Sequence, residues 1–230
     1  MKKQILMAAV SALALGALVT GAKADPVMYN WSGLYVGVHA GYAFGDASGS
    51  NSASDGFDGF DQGSALTLNP NPDGALVGIT SGYNWQRGEL VYGIESETGY
   101  IVAEDSATIG DDFGNVEYGY YSTLAARLGM AQNNYLIYGK GGIAFADTDE
   151  TYSDLDGGVI DANDVTNSSD IKTGWVAGFG IEWAMQRNWS LKLEYSFMDF
   201  GSETTTNLDG DLFTLDNQIQ TVKVGANFKL

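Results

Sequence analysis

The last fourteen residues constrain the chain most. Residues 217–230 read NQIQTVKVGANFKL. Val222, Val224, Ala226, Phe228 and Leu230 fall on one face of an extended segment, and Thr221, Lys223, Gly225, Asn227 and Lys229 on the other. That period of two marks a strand with one apolar and one polar side. An apolar strand left at a sheet edge exposes unpaired backbone and templates aggregation. A closed barrel pairs its last strand with its first, and Trp31 to Gly45, WSGLYVGVHAGYAFG, carries the matching alternation.

The same reading yields eight strands, at 31–45, 74–86, 90–104, 116–131, 135–147, 171–185, 189–200 and 217–230. The connections alternate in length. Arg87-Gly88-Glu89, Gln132-Asn133-Asn134 and Gln186-Arg187-Asn188 read as tight turns, while 46–73, 105–115, 148–170 and 201–216 read as long loops. Asn71-Pro72-Asp73-Gly74 and Asp156-Gly157-Gly158 are turn formers. Short turns on one rim and long loops on the other are the asymmetry of an outer-membrane barrel, and an even strand number puts both termini on the short-turn rim. The predicted fold class is therefore all-β, an eight-stranded antiparallel up-and-down transmembrane barrel.

Alternation alone does not say which face is inside. Strand 31–45 turns Leu34, Val36, Val38, Ala40, Tyr42 and Phe44 one way, and Tyr35, His39 and three glycines the other. An interior of eight strands is just wide enough for side chains or one small ligand. The apolar face is too bulky to fit there, so the glycine-rich face is expected inside and the apolar face against lipid. Tyr83, Trp85, Trp183 and Trp189 near the tight turns, and Tyr42, Phe44, Tyr100, Tyr120 and Phe197 nearer the long loops, are expected to form two interfacial belts.

The opening WSGLYVGVHAGYAFG and the polar-x-Gly-x-x-apolar-x-apolar ending resemble the small outer-membrane β-barrel, or porin family, surface proteins of alphaproteobacteria. The resemblance covers nearly the whole mature chain. It implies a barrel like OmpX and the membrane domain of OmpA, located in a bacterial outer membrane with long loops extracellular and termini periplasmic. It also implies that the closing strand, through Lys223, Gly225, Phe228 and Leu230, is read by the barrel-insertion machinery. The family usually ends on an aromatic residue, and this chain ends on Leu230.

Residues 1–24 read as a cleaved secretory signal: Lys2 and Lys3, an apolar run from Ile5 to Gly21, then Ala22-Lys23-Ala24 as a small-x-small site. The alternative is an uncleaved membrane helix, since the run is nearly long enough to span. Residues 25–30 are a short lead, and 31–230 the barrel. Removing the signal leaves 8 basic against 29 acidic residues, a net charge of −21. Such acidity argues against a nucleic-acid partner. There is no cysteine, hence no disulfide framework or thiolate metal site.

The polar face carries Glu95, Glu97, Arg127, Lys140, Lys172, Glu182, Lys192, Glu194 and Lys223. Inside a barrel these charges must pair or stay wet, because a buried unpaired charge is costly. A lumenal salt-bridge plug is expected; the competing reading is a narrow polar conduit. His39, the single histidine, would need a carboxylate and a nucleophile beside it to act as a catalytic base, and no enzymatic motif accompanies it. The chain is not expected to be an enzyme or to carry a cofactor.

The loops are acidic. Asp and Glu number 4 in 46–72, 4 in 104–112, 8 in 147–170 and 5 in 199–216, with no Lys or Arg in any of them. Solvation alone explains this; diffuse binding of Ca²⁺ or Mg²⁺ shared with lipopolysaccharide phosphates is the functional alternative, with Asp154, Asp156 and Asp161 as candidate ligands. The EF-hand pattern is absent. Expected partners are thus outer-membrane lipid, lipopolysaccharide, the insertion machinery and divalent cations. The favoured role is a structural, surface-exposed envelope protein. The alternative is a small-solute porin or haemin-binding protein; haemin needs an axial His or Tyr, and the loops offer only Tyr152 for this.

Overall fold

The computed structural model describes residues 29–52, 67–68, 71–109, 112–156, 159–160, 166–185, 187–206 and 212–230. The expected signal 1–24, residues 25–28 of the lead, and Asp161 lie outside the described residues. Eight long strands form the barrel: β1 (Gly33–Ser52), β2 (Asp73–Arg87), β3 (Leu90–Ile109), β4 (Asp112–Gln132), β5 (Tyr135–Asp156), β6 (Thr166–Ala184), β7 (Trp189–Thr206) and β8 (Leu212–Lys229). Thr67–Leu68 and Val159–Ile160 add two-residue ladders on β1 and β5.

Each strand is antiparallel to the next in sequence. The last pairs with the first from Tyr35↔Lys229 to Ser52↔Leu212. That seam closes the cylinder and leaves the alternating C-terminal run without an edge.

Two of the tight turns are fixed by backbone geometry. Gly88 has φ 60° and Asn133 has φ 57°, a left-handed conformation that Gly and Asn adopt most readily. The strand ends on this rim fall within a residue or two of expectation.

The other rim differs. Ladder pairing runs on to Ser52 in β1, to Ile109↔Asp112 between β3 and β4, to Asp112↔Asp154 between β4 and β5, and to Leu212↔Thr206 between β7 and β8. The segments read as loops at 105–115 and, in part, 46–73, 148–170 and 201–216 are therefore largely extended sheet. The physical reason is that period two reports burial of one face. Beyond the apolar band the sequence is mostly Asp, Glu, Ser, Thr, Asn and Gly, so the alternation fades while backbone pairing continues. Register shifts between Tyr100 and Ala103, between Tyr118 and Tyr121, and between Asp216 and Gln218 mark the transition on three ladders. Extra residues of this kind bend a strand and strengthen its twist.

The apolar face points outward. Leu34, Val36, Val38 and Tyr42 of β1 are exposed, as are Val77 and Ile79 of β2 and Trp175, Phe179 and Trp183 of β6. Val38 is 61% and Ile79 63% exposed in the isolated chain, which only a hydrocarbon surround makes tolerable over so large a band. Aromatic pairs ring both ends. Tyr83–Trp85, Trp85–Tyr92, Tyr135–Trp183 and Trp189–Phe228 lie by the tight turns; Tyr42–Phe44, Tyr100–Tyr120 and Trp175–Phe197 lie toward the other end. Rings at these heights suit the two membrane–water interfaces.

Candidate functional site

The inward face of every strand is small or polar, and the space it encloses is filled in three storeys. The middle storey is ionic. β3 supplies Glu95 and Glu97, β4 Arg127, β5 Lys140, β6 Glu182, β7 Lys192 and Glu194, and β8 Lys223. None of these eight is more than 6% exposed.

Lys140 Nζ lies 3.0 Å from Glu95, 2.9 Å from Glu97 and 2.8 Å from Glu194. Lys192 Nζ lies 2.7 Å from Glu97 and 3.7 Å from both Glu95 and Glu194. Lys223 Nζ lies 2.9 Å from Glu194 and also pairs with Glu97. Arg127 donates to Glu182 and stands 3.5 Å from Glu95. Four carboxylates thus meet four cations. The neutral sum is what permits burial, since taking charges out of water costs several kcal/mol per ion unless partners and hydrogen bonds replace the solvent.

Neutral groups complete the cluster. Tyr35 donates to Glu95 at 2.8 Å, Tyr138 to Glu194 at 2.8 Å, Ser196 to Glu194 at 3.1 Å and Asn227 to Glu182 at 2.8 Å. The Arg127 guanidinium lies 3.6 Å from the centre of the Tyr138 ring and 5.8 Å from that of Tyr35, a cation–π sandwich away from water.

Glycines make room for these rings. Tyr35 pairs across the ladder with Gly82, Tyr121 with Gly99, Tyr138 with Gly180 and His39 with Gly78. A Cβ added at Gly82 would fall within 2.5 Å of Tyr35 ring atoms, and one at Gly180 within 2.6 Å of Tyr138. The aromatic rings lie flat over the glycine backbone of the neighbouring strand.

Apolar layers close the interior above and below. Toward the long rim, Leu76, Ile101, Tyr118, Tyr121, Val176, Met198 and Ile219 pack together. Toward the tight-turn rim, Trp31, Val91, Ala131, Leu136, Tyr138 and Ala184 do the same, with Tyr29 against them.

Eight of the nine polar-face charges read from the sequence meet in this one cluster. Lys172 does not join it: the residue is inward and buried, but its register places it opposite Ala146, toward the long rim, whereas Lys140 sits opposite Gly178. Parity fixes the face of a residue but not its height.

The oxygen atoms of Glu95, Glu97 and Glu194 lie within 4.8 Å of one another, the spacing of a cation site. Three ammonium groups already fill that role. His39 is buried, with Nδ1 2.9 Å from Thr80 Oγ1 and Nε2 2.6 Å from Tyr121 Oη. Both ring nitrogens are thus held by hydroxyl groups, with no carboxylate to orient the ring as a base.

In the closing strand, Lys223 enters the cluster, Gly225 lies opposite His39, the Phe228 ring packs at a tilt against Trp189 with centroids 5.0 Å apart, and the Leu230 N–H donates to Leu34 O at 2.9 Å. Asp154 and Asp156 lie on the outer end of the β5 backbone. Tyr35 lies inside, as the parity of its strand predicts; the inward Tyr121 and Tyr138 and the apolar layers were not anticipated, although Tyr121 shares parity with Arg127 and Tyr138 with Lys140.

Residues 7–228 match the family model described as Outer membrane protein beta-barrel domain. The chain is 33% identical over 236 residues to the 31 kDa outer-membrane immunogenic protein of Brucella melitensis, covering 97% of this chain and 95% of that one. It is 30% identical over 204 residues to the 22 kDa outer membrane protein of Rhizobium leguminosarum bv. viciae, covering 87% and 78%. In fold it is similar to the outer membrane protein OprG of Pseudomonas aeruginosa, with a TM-score of 0.53 and 13% identity over 88% of this chain and 99% of that one. A closed barrel with a greasy exterior and a matched family model over nearly its full length is a bacterial outer-membrane protein, and this chain belongs to the outer-membrane β-barrel domain family.

Proposed function

We propose that the protein is a structural, surface-exposed element of the outer membrane, a sealed barrel that lends the envelope integrity and carries an acidic outer rim. The observation behind this is the packed interior: an ionic storey with no member more than 6% exposed, between two apolar layers. Eight strands leave no open channel when side chains fill them. The tight-turn rim, which holds both described chain ends, faces the periplasm, and the long strands rise outside the cell. Removal of residues 1–24 as a signal belongs to this reading.

The outer ends carry the acidic excess. Glu104 pairs directly with Glu117, and Glu117 with Asp149. Like charges opposite one another repel, and divalent cations bridging to lipopolysaccharide phosphates relieve that repulsion. Relatives designated immunogenic support the extension that these projecting strands are what a host antibody meets.

Single-channel recording in planar bilayers tests the sealed interior. The barrel is expected to give no discrete conductance steps, and regular ohmic steps would overturn the reading in favour of a small-solute porin. A haemin titration followed by absorbance is expected to show no saturable binding dependent on Tyr152.

A further inference from the structure

Residues Tyr29 to Ser32 do not enter the sheet. They cross the tight-turn mouth. The Tyr29 N–H donates to Asn133 O at 3.0 Å, in the turn joining β4 to β5. In the closed ring of eight, that turn lies on the wall facing β1. The Trp31 N–H donates to Gln86 Oε1 at 2.7 Å, the Gln86 N–H donates to Ser32 Oγ at 2.9 Å, and Lys229 Nζ donates to Asn30 O at 2.6 Å. The segment is therefore tied to β2, to β8 and to the far turn. Between these ties the Trp31 side chain drops into the mouth and is 4% exposed, packed with Val91, Ala131, Leu136 and Ala184.

None of the four ties is part of a ladder between barrel strands. The segment can leave without breaking the barrel, which puts it at the low-stability end of the molecule. Behind it lies a polar layer that is incompletely satisfied. Trp31 Nε1, Asn84 Oδ1, Asn227 Oδ1 and Arg127 Nε are buried without a hydrogen-bond partner. Asn84 and Arg127 both pair with Gly93 across adjacent ladders, so they share one height, and Asn227 reaches the same Glu182 as Arg127. Two donors and two acceptors without a protein partner are groups that water can satisfy. Admitting water would satisfy them and offset part of the loss of Trp31 burial.

We infer that Tyr29–Ser32 is a displaceable seal. With Trp31 seated, it closes the tight-turn mouth. When Trp31 leaves, water and small hydrated ions enter the polar layer from that side as far as Arg127, while the rest of the ionic storey and the outer apolar layer keep the barrel impermeable from end to end. The inference rests on the sealed-barrel reading and adds a resting and an open state at one mouth.

The chain has no cysteine of its own, so a single engineered thiol reports cleanly. Ala184→Cys places one in the layer that Trp31 covers. Its reaction with a small, charged methanethiosulfonate reagent is followed in the full barrel, folded in vesicles. Adding Trp31→Ala is expected to raise the labelling rate roughly tenfold or more, and separately Gln86→Ala, which removes the side-chain acceptor of the Trp31 N–H while sparing the apolar layer, is expected to raise it several-fold, because modification of an opened state tracks its population. Heat-modifiability gels verify that each variant is folded, and Gln86→Ala carries the test should Trp31→Ala not fold. Equal slow labelling in the parent and in the folded variants would overturn the seal and leave the sealed barrel standing. Fast labelling in the parent, together with conductance steps, would overturn both.

Discussion

Glu97 lies in contact with three ammonium groups, those of Lys140, Lys192 and Lys223. Removing it leaves ammonium groups buried without their counter-charge. Glu97→Ala is expected to lower stability by about 3–5 kcal/mol, measured by urea unfolding in lipid vesicles followed by tryptophan fluorescence. A second residue-level test concerns the rings. In Gly180→Ala the new Cβ would lie 2.6 Å from Tyr138 atoms, forcing that ring away from Arg127 and Glu194. The cost expected for such overpacking is about 1–3 kcal/mol, and pairing it with Tyr138→Ala should recover part of the loss.

Much of this interior was legible before any coordinates. Glu95, Glu97, Glu182 and Glu194 share parity with glycines and serines, which marks an inward face. The tyrosines were harder to read, because Tyr serves equally in a lipid interface and in a polar core. Parity resolves the ambiguity: Tyr42, on the even face of β1, is exposed, while Tyr35, on the odd face, is buried.

At the scale of elements, the two rims obey different rules. On the tight-turn rim, Asn133 at φ 57° is held by a conformational requirement. Asn133→Gly is expected to be neutral or slightly stabilising, and Asn133→Val to cost about 1–2 kcal/mol, read from the same unfolding curves. Along the membrane band, hydrophobicity governs. Ile79, near the middle of β2, faces outward, and Ile79→Lys is expected to cost about 2–4 kcal/mol in a bilayer. The outer strand ends escaped sequence reading because small and polar residues dominate them, so little periodic signal remains. The segment before β1 escaped it for a different reason. Trp31 shares the inward parity of Tyr35 and His39, and nothing local says that the chain turns across the mouth there.

For the molecule as a whole, charge is segregated. The interior cluster sums to zero, while the outer ends of β3 and β5 carry Glu104, Asp105, Asp147, Asp149 and Glu150 in stretches that hold no Lys or Arg. Thermal unfolding in lipopolysaccharide-containing bilayers is therefore expected at a higher temperature with Mg²⁺ than with EDTA. An identical midpoint would remove divalent bridging from the account.

The arrangement of that cluster also bears on how the protein reaches its native pairing. Each of the six consecutive strands from β3 to β8 contributes at least one charged member, and each member needs partners on other strands. Sliding any one of them by a single residue would turn its ion toward hydrocarbon. Sliding it by two would keep the ion inside but lift it by about 7 Å, beyond reach of its mates. Mispaired intermediates are thereby penalised at every staggered alignment, and the filled core acts as a proofreading device during assembly as well as a stopper afterwards.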